Sequence, residues 1–286
     1  LEPAARGTVK RGDRADGLAY HCIMHERLDI SWSRRRLRSA MPLAAALGCA
    51  FSAPARADTL RFGRMGDADT VFLPRHGRGH RLSPSGINYR ANIDALKRAG
   101  VTDLVSVSAC GSFREDMPPG HFVLVDQFVD RTHGRASSFF GNGCVAHVSM
   151  AHPVSPRLVA RIKAAAASEG IACSEGGTYV CMEGPQFSTL AESKLYRAWG
   201  MDVIGMTNLT EAKLAREAEI CYGVIALSTD YDCWHETHDD VSIEAVLTII
   251  RTNVAMAKNI IRNAVAEITA DRSCPCASSR RALSAP

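Results

Sequence analysis

From Leu60 onward the chain alternates two rhythms of apolar and polar positions. Short apolar runs, at Thr70–Pro74, Leu104–Val107, His121–Val125, Tyr179–Met182, Asp202–Gly205 and Cys221–Ser228, predict strands. Between them, stretches with a helical period predict helices over 88–99, 156–167, 190–199, 211–218 and 243–268. The first of these places Ile87, Ala91, Ala95 and Leu96 on one face and meets Gly100, a C-terminal stop. Strands that alternate with helices predict an α/β fold. The expectation is one domain with a mixed, mostly parallel sheet flanked by helices on both faces.

Residues 1–58 carry no such rhythm, and Gly, Arg, Ala and Asp dominate their first third. They are expected to be an atypical, disordered or non-native segment ahead of a domain over 59–272 and a shortened tail over 273–286. Arg34, Arg35 and Arg36 precede an apolar run, Met41 to Phe51, and Ala55-Arg56-Ala57 resembles a cleavage site. That layout keeps export open as an alternative to the expected cytoplasmic location.

Charge changes the picture through its position. The first 58 residues hold ten Lys/Arg against six acids, which accounts for the net +4; residues 59–286 balance at 24 and 24. The body therefore lacks the surplus cations that a nucleic-acid backbone demands. Aromatic residues at 6% also argue against a base-stacking surface. No run of about 18 apolar residues appears, so no membrane-spanning helix is expected. The ten cysteines are scattered in mostly apolar contexts and read as reduced, buried thiols. Cys274-Pro275-Cys276 has no second pair at zinc-site spacing, so no metal is expected.

Open α/β sheets bind ligands beyond strand ends, so the residues that follow each predicted strand are the candidates. Pro74-Arg75-His76-Gly77 combines a planar fork for oxyanions, a second donor in His76 and a glycine that lets an anion approach backbone. It is equally readable as a solvated basic loop. Ser106-Val-Ser108-Ala109-Cys110-Gly111-Ser112 offers small hydroxyl donors, or merely a tight turn. Phe187, in the polar stretch Met182 to Thr189, suits a lid over a flat heterocycle, or a minor core contact. Thr207, in Met206-Thr207-Asn208, suits a helix N-cap or an anion contact. Asp230 and Asp232 are two carboxylates near the end of an apolar strand, a costly placement that general acid chemistry would explain. Together these loops describe a pocket for a phosphate beside a flat heterocycle.

The same loops resemble the trimeric purine nucleoside phosphorylase family. The stretches that carry the likeness are LPRHGRGHRLSPSGINYRANIDALK (73–97), SVSACGSFRED (106–116), VDQFVDRT (125–132), GGTYVCMEGPQFSTLAES (176–193), VIGMTN (203–208), EAKLAREAEICY (211–222) and TDYDCWHE (229–236). The resemblance spans about residues 60–272. It implies a purine nucleoside phosphorylase-like fold and phosphorolysis of 5′-methylthioadenosine to adenine and 5-methylthioribose-1-phosphate. Inorganic phosphate would be a co-substrate, with no cofactor and no metal.

By position, the resemblance makes Arg75, His76, Ser108, Ala109 and Thr207 phosphate contacts and Met206 a ribose contact. Asp230, Tyr231 and Asp232 would hold the base, with Asp230 and Asp232 catalytic and Phe187 over the ring. Ser188 and Ile243 fall at specificity positions. Val241 and Val246 would line the 5′ pocket, with His147 arriving from a neighbouring subunit of a homotrimer. Two alternatives stay open: a phosphorylase for another purine nucleoside, and a nucleoside-binding chain without turnover.

Overall fold

A computed structural model of the chain describes residues 60–65, 68–141, 145–236, 243–268 and 274–279. The segment 1–58, Val241 and the side chain of Ile243 lie outside the described residues. Strands β1 (Arg61–Met65) and β2 (Ala68–Phe72) form an antiparallel ribbon of their own. The predicted first strand is therefore not a member of the main sheet. Helix α1 (Tyr89–Arg98) follows; Asn88 caps it by accepting from the Ala91 N–H, and Gly100, at φ +86°, takes the left-handed turn beyond its end.

The main sheet has seven strands. They are β3 (Asp103–Ser112), β4 (Phe122–Leu124), β5 (Gln127–Arg131), β6 (Cys173–Glu175), β7 (Thr178–Met182), β8 (Val203–Gly205) and β9 (Cys221–Asp230), in the order β5-β7-β8-β3-β9-β4-β6. Four of its pairings are parallel and two antiparallel, so the expected mixed, mostly parallel character holds. Two short strands, β5 and β6, have no counterpart among the predicted runs, because neither carries an apolar stretch long enough to stand out. The antiparallel pairings flank β3 and β9, which run side by side against the direction of the other five.

Helices α2 (Pro156–Ser168), α3 (Leu190–Ala198), α4 (Asn208–Glu217) and α5 (Ile243–Ala266) complete the described elements. Strand β9 is buried along almost its whole length, which requires cover on both faces. Successive residues show how it is supplied. Tyr222 turns its hydroxyl to α4, where Glu211 accepts at 2.9 Å. Gly223 faces α2 so closely that a Cβ there would lie 3.0 Å from Leu158. The core is continuous around this strand, with Ile225 and Leu227 joined by Leu158, Ile162, Leu214 and Ile260.

Candidate active site

Strand direction sets the site. Because β8 runs against β3 and is three residues long, its tip at Gly205 lies beside the upper part of β3, where Ile204 pairs with Gly111. The chain then continues as Met206-Thr207-Asn208 down alongside Ala109, Ser108 and Ser106; the Asn208 side-chain amide donates to Ser106 Oγ at 3.1 Å. The rule that ligands gather beyond one row of strand ends thus takes a modified form. The candidate residues line the carboxyl half of β3 instead of one sheet edge.

At the lower end of this line sits a closed polar cluster. Arg75 is buried, with Nε and Nη2 both directed at the Glu211 carboxylate and Nη2 also at Ser106 Oγ. Ser106 Oγ and Tyr222 Oη each lie 2.9 Å from Glu211 Oε2, and Asn208 Nδ2 donates to both hydroxyls at 3.1 Å. Burial alone would pull the guanidinium down, but the Glu211 carboxylate raises it, so the charge is held firmly. The fork expected to grip an oxyanion is therefore engaged by Glu211. Only Nη1 points elsewhere, toward the Val107 carbonyl at 3.4 Å. Sequence reading missed Glu211, Asn208 and Tyr222, because nothing in a helix-compatible Glu or an apolar-strand Tyr marks it as an Arg partner.

His76 differs from its expected role as well. Burial first, then the neighbouring Arg75 charge, lowers the imidazole to about 3, so it is neutral near pH 7. Its Nδ1 lies 2.8 Å from the Leu82 carbonyl, an acceptor, which assigns the ring proton to Nδ1 and a lone pair to Nε2. His76 becomes a second donor to an anion only by taking up a proton.

Midway along β3, Ser108 is buried; its Oγ lies 3.2 Å from the carbonyl of its neighbour Ala109 and beside the buried Tyr179 hydroxyl. Thr207 occupies the N-cap position of α4 but makes no capping bond with its side chain; its buried hydroxyl lies 3.4 Å from Asn208 Oδ1. The N-cap expectation thus holds for the position and fails for the hydroxyl. Arg135, another residue the sequence did not flag, ties two loops together. Its Nη1 donates to the Met206 carbonyl at 2.5 Å and its Nη2 to the Glu183 carbonyl at 2.6 Å. It thereby fixes the backbone that carries Met206 relative to the stretch leading to Phe187.

At the upper end, the pairing of β3 with β9 slips: Cys110 pairs with Ser228 and Gly111 with Asp230, leaving Thr229 as an extra residue. Such a bulge re-aims the side chains that follow it. It sets the Asp230 carboxyl against Gly111, where a Cβ would come within 2.8 Å of Asp230 Oδ1. Thr229 Oγ1 lies 2.7 Å from Asp230 Oδ2 and 3.2 Å from the Cys110 carbonyl. The Thr229 hydroxyl donates toward both oxygens, sharing its one hydrogen between them. Burial pushes the Asp230 carboxyl up to about 6, against the pull of the Thr229 hydroxyl and the Asp232 N–H, which donates to Oδ1 at 2.8 Å. Asp232, at φ +52°, is also raised by burial, with Ser193 and Ser188 beside it.

Around this carboxyl pair, Cys233 Sγ donates to the Ser188 carbonyl at 3.4 Å, which links the stretch after β7 to the one after β9. Tyr231 is buried and stacks on His235. Phe187 is exposed, with 46% of its surface open. His147 is exposed on a long irregular stretch, and Val246 is buried in α5 within the main core.

Comparisons with known proteins bear on this arrangement. A family model of the phosphorylase superfamily matches residues 39–266. An S-methyl-5′-thioadenosine phosphorylase from Bradyrhizobium diazoefficiens is 63% identical over 222 residues, 77% of this chain and 76% of that protein. One from Geobacter sulfurreducens is 62% identical, covering 81% of this chain and 80% of its own. Among solved structures, a methylthioadenosine phosphorylase from Schistosoma mansoni in complex with adenine aligns with a TM-score of 0.75. It is 38% identical and covers 80% of this chain and 86% of its own. A methylthioadenosine phosphorylase sourced from an antarctic soil metagenomic library also aligns at 0.75, with 46% identity and coverage of 79% and 80%.

Proposed function

The chain belongs to the phosphorylase superfamily, and from that premise we propose that it splits 5′-methylthioadenosine with inorganic phosphate, giving adenine and 5-methylthioribose-1-phosphate. The observation that carries the reading is the Asp230 carboxyl, set at the bulge in a desolvated position and raised to about 6, with no cation acting on it among the described residues. Breaking the bond between the sugar C1′ and the ring N9 sends an electron pair into the purine. A proton delivered to N7 neutralises the leaving base, and Asp230, raised to about 6, would supply it most readily at and below that pH. As the bond stretches, the sugar gains oxocarbenium character. A phosphate oxygen stabilises that positive charge and forms the new bond at C1′.

The phosphate would lie against the middle of β3, where the Ser108 and Thr207 hydroxyls are buried and the Ala109 backbone is adjacent. Arg75 supplies its remaining N–H and a fixed positive charge, while the Nε2 lone pair of His76 would accept a hydrogen bond from a protonated phosphate oxygen. Met206 would meet the ribose, Phe187 would cover the base, and Tyr231 and Asp232 would complete its edge. Ser188, beside Asp232, would tune the choice of base. Ile243, Val241 and Val246 would favour an apolar 5′ substituent. His147, exposed in one chain, would close the same pocket in a neighbouring copy of a homotrimer. Phosphate is a co-substrate in this scheme and no cofactor is needed. Among the described residues no helix is long and apolar enough to cross a membrane. A cytoplasmic location is a separate part of the proposal.

The test is phosphate-dependent release of adenine from 5′-methylthioadenosine, run beside adenosine and inosine. The expected result is fastest release from the thioether nucleoside and little hypoxanthine from inosine. Absence of free base at every enzyme concentration, with arsenate in place of phosphate, overturns the proposal.

A further inference from the structure

The other end of β9 holds a group of residues that this reaction leaves unused. Cys221 opens the strand, nine residues and roughly 30 Å from Asp230 at about 3.3 Å per residue. The turn Cys274-Pro275-Cys276, 53 residues further along the chain from Cys221, folds back onto it. Ser279 fastens that turn by donating to the Arg216 carbonyl at 2.6 Å. The three sulfurs all lie within 4.8 Å of one another, with Cys221 and Cys274 3.0 Å apart, and Cys221 and Cys276 are buried. A tetrahedral ion at ~2.3 Å from each sulfur would hold them about 3.8 Å apart, inside that limit.

A second observation concerns charge. Arg157, at the start of α2, pairs with Asp103 through Nη2 and lies beside the Cys221 sulfur. Its contact with Cys221 is a donor-to-sulfur hydrogen bond, and such a donor favours an electron-rich acceptor there, as a metal-bound thiolate is. Arg216 adds a second positive charge near Cys276. Three thiolates around a divalent ion carry one net negative charge, which these cations balance.

We propose that Cys221, Cys274 and Cys276 form a binding site for a thiophilic closed-shell metal ion, with Zn²⁺ as its occupant and a water in the fourth position. Each thiol loses its proton to solvent on ligation, and no redox change is involved. The ion staples the 274–279 turn to the amino end of β9 and plays no part in catalysis. The sequence pattern misses it because its third ligand stands alone in an apolar strand.

The experiment uses the full chain, reduced and freed of metal by chelation. Zn²⁺ is titrated against it calorimetrically, and Co²⁺ is added separately to read sulfur-to-metal charge-transfer absorption. One equivalent of Zn²⁺ is expected to bind, with a thiolate–cobalt band and a higher Tm. The pair Cys274→Ser/Cys276→Ser is expected to lose all three signals, while Cys173→Ser, which removes a thiol elsewhere, keeps them. Arg157→Gln is expected to weaken binding about 10-fold, as loss of an outer-shell partner does. Circular dichroism confirms that each variant is folded. The proposal is overturned if the reduced parent binds no Zn²⁺, or if the double variant binds as well as the parent. Adenine release is not a readout, so the outcome is independent of the proposed reaction.

Discussion

Glu211 and Asp230 are two carboxyls withdrawn from water at opposite ends of the line of site residues along β3, and the fold treats them in opposite ways. Glu211 receives a guanidinium on both oxygens and two hydroxyls besides. Asp230 receives one N–H and shares one hydroxyl, and the nearest charge acting on it is another carboxyl, Asp232. A buried acid that is fully paired holds its neighbours in place. A buried acid denied a cation keeps its proton and can hand it over. The lower cluster is scaffold and the upper pair is chemistry, although both are acidic residues in polar surroundings.

The sharpest way to break that comparison is Asp230→Asn. The amide preserves shape but carries no acidic proton, so adenine release is expected to fall by about 10²–10⁴-fold. The stability of the variant should move the other way. The ordinary aspartate value is 3.8 and that of Asp230 is about 6, so the folded chain keeps a proton that the unfolded chain has released between those values. That contribution is complete below pH 3.8 and is lost as pH rises through 6. At pH 8 the parent carries a buried, uncompensated charge that Asn lacks, so the variant should unfold at an equal or higher urea concentration. The parent's kcat/KM should also decline as pH rises past about 6. A variant that is active but less stable would reverse the roles assigned to the two acids.

Arg75→Ala comes next. It strands Glu211 without its cation, and such a loss costs about 3–5 kcal/mol. The midpoint of urea denaturation should drop accordingly, before any change in phosphate KM can be read. Arg75→Met combined with Glu211→Leu removes both charges and should recover most of that stability, while phosphate use stays impaired. If Arg75→Ala keeps the parental midpoint, the lower cluster is not scaffold.

These contrasts also explain what sequence reading reached. Asp230 and Asp232 were visible because acids at the end of an apolar strand are conspicuous, and the strands and helices were visible through their periods. The bulge at Thr229 was not, since one unpaired residue in β9 is a property of its register with β3. Nor was the engagement of Arg75, because its partner lies 136 residues away on α4. The direction of β8 was hidden for the same reason: a three-residue strand has no signature of its orientation. What stayed illegible is what long-range pairing decides.

The smallest expected effect lies between the two carboxyls. Ser108 and Thr207 are buried, and neither hydroxyl makes a well-formed bond that holds the fold: Ser108 lies 3.2 Å from its neighbour's carbonyl and beside the buried Tyr179 hydroxyl, and Thr207 forgoes the cap it is placed to make. Removing such a hydroxyl costs little stability, because no well-formed bond is given up. If both serve an anion, Thr207→Val and Ser108→Ala should each raise the phosphate KM by several-fold, matching about 0.5–1.5 kcal/mol per neutral hydrogen bond. The KM for the nucleoside and the urea midpoint should scarcely change. A rise confined to the nucleoside KM would move the anion away from the middle of β3. A fall in stability instead would assign these hydroxyls to the scaffold with Glu211.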